Sequence, residues 1–260
     1  MICRQEKSAI FYQFAKLASF PCIPHAVFTR TGGRSKGPFE SMNVSYEVGD
    51  MEQNVDENRA LLCAIMKIPR IVSLKQTHGD KVIVLSDGLL PDDKHRKGVC
   101  EGDALITNRK GVLLLVKIAD CQSVFIYDPD RQVIANIHSG WRGSVKNIIR
   151  NTVQTMTKVF GCQTENMVAG IGPSLGPCCA EFVNFRSEIP ERYWKYEVAP
   201  NYFDLWSISV DQLKEAGLLS ENISVCGICT RCNTKLFYSY RGEGVTGRFG
   251  AVIGIKEDGI

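Results

Sequence analysis

Histidine is scarce in this chain, with four among 260 residues, so any chemistry that recruits many imidazoles at once is out of reach. No apolar run is long enough to span a bilayer, since the most apolar N-terminal stretch, residues 9–15, is interrupted by Gln13 and followed by Lys16. The stretch also lacks a convincing cleavage site, so neither a signal peptide nor a transmembrane helix is expected. Dense Lys/Arg blocks are missing and the formal net charge is only +3, which gives no electrostatic footprint for nucleic acid. No G-x-x-x-x-G-K-[ST] loop is present, which excludes a P-loop. There is no internal repeat and no linker rich enough to divide the chain.

Cysteine, by contrast, is plentiful. Eleven is an odd number in a chain too large to need stapling, and the pattern reads as mostly reduced thiols in a cytoplasmic protein. The composition, 44% hydrophobic and 23% charged, is that of a globular protein with a sizeable core. Strand-like and helix-like segments alternate irregularly. We therefore expect an α/β or α+β fold, with mixed sheets flanked by helices in a single domain, residues 1–260.

The chain is organised around residues 112–143. Apolar runs at 112–118 and 124–127 flank the polar kink Ala119-Asp120-Cys121-Gln122. A turn at 128–131 leads into the run 133–137, which ends in His138-Ser139-Gly140-Trp141-Arg142-Gly143. Cys121 and His138 both lie where regular structure stops, and a short hairpin brings those ends together. Apolar residues from Val145 to Phe160 repeat at helical spacing and predict one helix after Trp141, its N-terminus pointing back at His138.

Elsewhere, Asp50 is expected to cap a helix running to about Lys67, closed by Pro69. Strands are expected at 23–29, 71–76, 81–85 and 102–107, then at 167–171 and 223–228, and finally at 237–240 and 249–255. His78 follows the second of these, beside Gly79. Asp204 caps a helix stopped by Gly217. Residues 1–18 read as helix or strand equally well. Residues 86–100, around His95, read as a polar, mobile loop.

His78, Cys121 and His138 form a chemically coherent set. Two imidazoles and a thiolate suit Zn²⁺ with one coordination position left open, although copper accepts the same donors. A metal-free pair in which a histidine activates Cys121 is the competing reading. Asp103 and Asp120 can orient a ligand imidazole or act as a base, or simply cap turns. The loop at 29–38, with Gly32-Gly33 and Arg30, can cradle an anion or be a plain surface turn. Arg241 and Arg248 bracket a Gly-rich segment and can bind phosphate or be exposed charges. Cys226, Cys229 and Cys232 are spaced C-x-x-C-x-x-C, but the further cysteine of a ferredoxin run is absent, so they read as incidental thiols. Cys178-Cys179 read as packing thiols.

Several motifs occur in order: Gln76-Thr77-His78-Gly79, Asp103-Ala104-Leu105-Ile106-Thr107, Ala119-Asp120-Cys121, the segment 138–143, Ile171-Gly172-Pro173, and Phe237-Tyr238-Ser239-Tyr240-Arg241 with Thr246-Gly247-Arg248. With Thr29-Arg30-Thr31-Gly32-Gly33 and Asn43 upstream, the chain resembles the bacterial YfiH family, also named the laccase-domain or polyphenol-oxidase-like family. The resemblance implies a mixed α/β fold and a pocket where His78, Cys121 and His138 bind zinc and carry catalysis. It also implies a purine nucleoside phosphorylase acting on adenosine, inosine and methylthioadenosine, with adenosine deaminase as a side activity. Arg30, Asn43, Arg142, Arg241 and Arg248 are the expected substrate and phosphate partners. A copper-dependent polyphenol oxidase, and a Cys–His hydrolase or peptidoglycan-precursor editing factor, are the alternatives. The expected ligands are a nucleoside and phosphate, with neither nucleic acid nor membrane, and the expected state is a monomer or small homo-oligomer. Thr77, Ile118 and Ser139 stand where the family commonly has Val, Thr and Ala.

Overall fold

The computed structural model describes residues 1–85 and 100–257, so the loop around His95 lies outside the described residues. Two six-stranded mixed sheets face each other. The first runs, in spatial order, Ile2–Glu6, Ala9–Gln13, His25–Phe28, Phe249–Gly254, Val112–Ile118 and Arg70–Ser73. The second runs Ile223–Val225, Val168–Ile171, Gln122–Asp128, Val133–Ser139, Ala104–Thr107 and Val82–Val84. Antiparallel pairs dominate. The parallel pairs are Arg70–Ser73 with Val112–Ile118, Val82–Val84 with Ala104–Thr107, and Val168–Ile171 with Ile223–Val225.

The central strands are apolar at nearly every position because both of their faces are covered. Along Val112–Ile118, Leu114, Val116 and Ile118 point into the core between the sheets, against Phe125, Tyr127 and Ile134 of the second sheet. Leu113 and Leu115 point the other way, onto Leu62, Ile65 and Met66 of the helix Glu52–Met66. In the second sheet Val124, Ile126, Ala135 and Ile137 face outward under Ile149, Val153 and Met156 of the helix Ile148–Phe160. The period of two thus sorts side chains into two cores within one strand, and the result is a four-layer helix–sheet–sheet–helix stack. Truncating a fully buried leucine such as Leu114 to alanine costs about 2–5 kcal/mol in such a setting. The Asn136 amide donates across the sandwich to the carbonyls of Leu114 and Ala251, at 2.8 and 2.9 Å.

Several expectations are corrected. The helix after Trp141 is two helices, Trp141–Val145 and Ile148–Phe160. The apolar stripe continues across the break, but Asn147 adopts a left-handed φ of 58° and its side chain caps the Arg150 N–H. The element next to His138 is therefore only five residues long. Residues 237–240 are not a strand. Phe237 and Tyr238 are fully buried anchors, and Tyr240–Glu243 is a helical turn. The helix expected from Asp50 begins at Glu52, with Asp50 receiving the amides of Asn43 and Asn54 instead. Residues 1–18 resolve as two strands and the short helix Ala15–Ala18. No helix among the described residues is long and apolar enough to cross a membrane.

Candidate active site

Two of the crossings between the sheets at one end of the sandwich each deliver a donor. Residues 119–121 lead from Val112–Ile118 in the first sheet to Gln122–Asp128 in the second, and place Cys121 at the strand mouth. Residues 74–81 lead from Arg70–Ser73 to Val82–Val84 and carry His78. The Gln76 side chain completes this crossing like a further strand residue, donating to the Lys117 carbonyl at 2.9 Å and accepting from the Lys117 N–H at 2.8 Å. The third donor, His138, lies near the end of Val133–Ser139, where the hairpin register pairs it with Ser123, two residues from Cys121. The ligand atoms of His78, Cys121 and His138 lie within 4.8 Å of one another. The two imidazoles meet edge to face with centroids 4.8 Å apart.

Asp103 holds this set together from beneath. Its carboxylate accepts from His138 Nδ1 at 2.8 Å, from the His78 N–H at 2.9 Å, from the Gly79 N–H at 2.7 Å, and from both the N–H and hydroxyl of Thr77. Its backbone carbonyl accepts the His138 N–H at 2.7 Å. One side chain thus fixes the His138 imidazole and the backbone that carries His78. With His138 Nδ1 engaged, its Nε2 is the nitrogen left to face Cys121. His78 has a φ of 56°, a strained region for a non-glycine residue, and the three successive N–H donors bound to Asp103 hold it there.

The electrostatics follow from this packing. Burial alone would raise the Asp103 carboxyl, but the hydrogen bonds and charge of His138 and the N–H donors outweigh it and hold the group at about 2. Burial would also raise the Cys121 thiol, yet the charge and hydrogen bonds of His138 and then His78 bring it down to about 6. His138, which burial would lower, is lifted to about 9 by the Cys121 thiolate and Asp103. Without a metal, these opposed shifts favour a thiolate–imidazolium pair of Cys121 and His138.

Glycine permits a close approach at two places. A Cβ on Gly140 would stand 3.0 Å from both Cys121 Sγ and His78 Cδ2, and one on Gly143 would stand 3.0 Å from the Gly79 carbonyl. His138 and Asp103 are buried, Cys121 is half-buried and His78 is exposed, so the set opens to solvent on the His78 side.

The remaining candidates separate. Arg248 is half-buried, stands in the electrostatic field of Cys121 and Asp120, and is aimed by its own bonds to the Thr246 and Gly247 carbonyls. Arg142 is exposed and lies over the Trp141 ring at 4.3 Å. Arg241 is exposed and donates to the Glu181 carbonyl. Arg30 is committed to Glu243 at 2.7 Å and stacks over Tyr238. Asn43 is fully buried and braces Ser45, Asp50 and the Arg248 N–H. In the Gly32-Gly33 loop, the N–H groups of Gly33 and Arg34 are taken by Ser41 and Asn58, so these donors are spent on packing rather than on an anion. Asp120 touches neither histidine. Its oxygens receive Thr230, Ser239 and the Arg241 N–H, which makes it a loop anchor. His25 is a core residue whose Nε2 accepts the Phe14 N–H, and burial lowers it to about 4. Sequence reasoning did not separate Asp103 from Asp120; the signal available was its place at the mouth of a strand that pairs with His138's own strand.

The chain is similar to several known proteins. The family described as multi-copper polyphenol oxidoreductase laccase matches residues 24–256. A protein of Bacteroides thetaiotaomicron named purine nucleoside phosphorylase is 34% identical, over 89% of this chain and 91% of its own length. The purine nucleoside phosphorylase YlmD of Bacillus subtilis is 33% identical, over 88% and 87% respectively. The crystal structure of YlmD from Geobacillus stearothermophilus superposes with a TM-score of 0.88 at 30% identity, covering 98% of this chain and 99% of that one. The chain belongs to this laccase-domain family, the one that includes the YlmD and YfiH proteins.

Proposed function

We propose that this protein is a zinc-dependent purine nucleoside phosphorylase acting on adenosine, inosine and methylthioadenosine, with adenosine deamination as a side activity. The observation that carries the reading is the His78/Cys121/His138 set with Asp103 behind His138. Two imidazoles, one thiolate of lowered pKa and a carboxylate on the far imidazole nitrogen fit a three-ligand catalytic zinc site. Relatives named purine nucleoside phosphorylase support the substrate class. Bound there, the ion supplies Lewis acidity and lowers the pKa of water.

The protein's own groups do the rest. Asp103 keeps His138 in one tautomer and fixes the strained His78 backbone, so the donor set is organised before substrate arrives. Arg248, with no ion-pair partner among the described residues, is the phosphate partner the geometry favours. Holding phosphate against the ribose turns a bimolecular attack into an oriented one. Arg142, exposed at the mouth, is a second cationic contact. Arg30 and Asn43 act on the fold, by bracing the loops behind Arg248.

The test is release of free base from adenosine, inosine and methylthioadenosine by protein with its metal quantified. Release that requires phosphate, with about one zinc held by His78, Cys121 and His138, supports the reading. Turnover without phosphate, or unaffected by Cys121→Ala, overturns it. A metal-free Cys–His hydrolase, including a peptidoglycan-precursor editing role, is the second reading, favoured by the thiolate–imidazolium pair. Activity that survives metal stripping and is lost on alkylation of Cys121 would select it. A multi-copper oxidase is disfavoured. Of the four histidines His25 is core, and only His78 and His138 among the described residues reach the site.

A further inference from the structure

The four cysteines that sequence reading treated as packing or incidental thiols come together in space. Cys178 and Cys179 lie in the loop after strand Val168–Ile171. Cys229 and Cys232 lie after strand Ile223–Val225, in an isolated bridge and in the 3₁₀ segment Arg231–Asn233. Fifty residues separate the pairs, yet the four Sγ atoms lie within 4.8 Å of one another. Cys232 Sγ stands 3.6 Å from Cys178 Sγ and 3.5 Å from Cys179 Sγ. A disulfide requires about 2.05 Å. Four sulfurs each about 2.3 Å from one tetrahedral ion lie about 3.8 Å apart. The observed separations are those of the second arrangement.

The scaffold around the cluster is built to hold it. The two segments pair as a short ladder through Ser174 and Cys229, with the Ser174 N–H on the Ile228 carbonyl and the Thr230 N–H on the Ser174 carbonyl. Backbone groups of Gly176 and Cys232 hydrogen-bond the Cys229 sulfur. A Cβ on Gly176 would stand 3.0 Å from the Cys229 Cβ and 2.9 Å from Trp206, so only glycine lets the loops approach this closely. Cys179 and Cys229 are buried in a small apolar cluster with Leu175 and Phe182, while Cys178 and Cys232 close the outer side. Cys226 stands apart, packed against the core between the sheets.

We propose that Cys178, Cys179, Cys229 and Cys232 form a second metal site, a closed four-thiolate site for zinc that no substrate reaches. All four positions of a tetrahedral ion are filled by protein, which is the structural rather than the catalytic type. Its purpose follows from what the two loops touch. Thr230, between the paired cysteines, donates to Asp120 at 2.7 Å, and the Leu175 N–H donates to the Asp120 carbonyl at 2.8 Å. Asp120 precedes Cys121 and has a φ of 88°. The ion ties together the two loops that clamp this strained residue next to the active-site cysteine.

The test is metal analysis of protein made in zinc-supplemented medium. Wild type should hold about two zinc ions per chain, and Cys121→Ala and the pair Cys229→Ser/Cys232→Ser about one each. Zinc-edge X-ray absorption on Cys121→Ala should show a sulfur-only shell at about 2.3 Å, and this needs no cysteine of the cluster to be changed. If the active site holds no zinc, wild type and Cys121→Ala both hold one ion with that same shell, and the second site stands. Nitrogen or oxygen in the Cys121→Ala shell, no zinc in that variant, or a disulfide from Cys178 or Cys179 to Cys232 in the isolated protein would each overturn the proposal.

Discussion

Around Cys121 the neighbouring donors are imidazoles; around Cys232 they are other thiols. Both clusters gather soft ligands at loop ends, and both border Asp120, yet their chemistry diverges. Two imidazoles beside Cys121 bring its pKa down to about 6 and leave one side open through exposed His78. In the thiol cluster, burial and then the neighbouring thiols push Cys178 up, and Cys179 is raised as well. At Cys229 burial would raise the thiol, but hydrogen bonds from the backbone of Gly176 and Cys232 and from the Cys178 and Cys232 thiols together lower it. Mixed donors with a carboxylate behind them make an open, reactive centre. Like donors held by backbone make a closed one.

The widest separation between the clusters should appear in turnover. Cys121→Ala is expected to lower phosphorolysis by roughly a thousandfold or more, since it removes a member of a set that acts as a unit. Cys232→Ser should keep kcat within a few-fold while lowering thermal stability. Steady-state assays and thermal melts on the two variants check this. Equal loss of kcat in both would erase the distinction between reactive and structural thiols.

Asp103→Asn comes next. The thiol cluster has no carboxylate partner among the described residues, so this change should act on one site alone. Loss of the charge behind His138 is expected to weaken metal binding at His78/Cys121/His138 by about 10–100-fold, with metal at the four-cysteine cluster unchanged. Competition with a chelator, followed by metal counting, reads both sites in one sample.

A pH series on metal-free protein sharpens the comparison further. Alkylation of Cys121 should be half-maximal near pH 6, whereas an ordinary thiol needs about 8.5. The same pair contributes to stability in two opposed ways. Because Cys121 is lowered on folding, its contribution is complete above its ordinary value and disappears as pH falls through about 6. Because His138 is raised, its contribution is complete below its ordinary value and disappears as pH rises through about 9. Between the ordinary histidine value and about 9 the first contribution grows as the second declines, so the pair should leave the stability of metal-free protein nearly level with pH across that interval. Alkylation with a midpoint above pH 8 would remove the thiolate–imidazolium pair from the account.

The two clusters were also unequally legible in the sequence. Cys121 and His138 are joined by a hairpin, and a turn at 128–131 between apolar runs places them together with no long-range information. His78 is recognisable as a strand-end residue, although its pairing with the other two depends on a crossing between sheets. Cys178-Cys179 and Cys229/Cys232 meet through the single bridge of Ser174 with Cys229, and no periodicity announces an isolated bridge. Residues 237–240 were misread for a related reason. Their apolar character marks burial, and Phe237 and Tyr238 are buried as anchors rather than as strand residues. The split at Asn147 escaped because the apolar stripe passes over it unbroken.

Thr230 joins the two regions, and its removal is the finest test of how separate they are. Its hydroxyl donates to Asp120 Oδ1, which Ser239 also reaches at 2.7 Å, so Thr230→Val leaves that oxygen with one of its two side-chain donors. The Thr230 backbone bond to Ser174 is untouched by the change. One hydrogen bond to a charged acceptor is worth about 1.5–3 kcal/mol, and the retained Ser239 contact holds the expected stability loss at the low end of that range. Metal content at both clusters should stay at the wild-type level, because no ligand and no residue hydrogen-bonded to a ligand imidazole is altered. Turnover should fall no more than a few-fold. A loss of turnover approaching that of Cys121→Ala would show that the clamp on Asp120 positions Cys121 directly, and would make the four-cysteine cluster part of the catalytic geometry rather than its remote support.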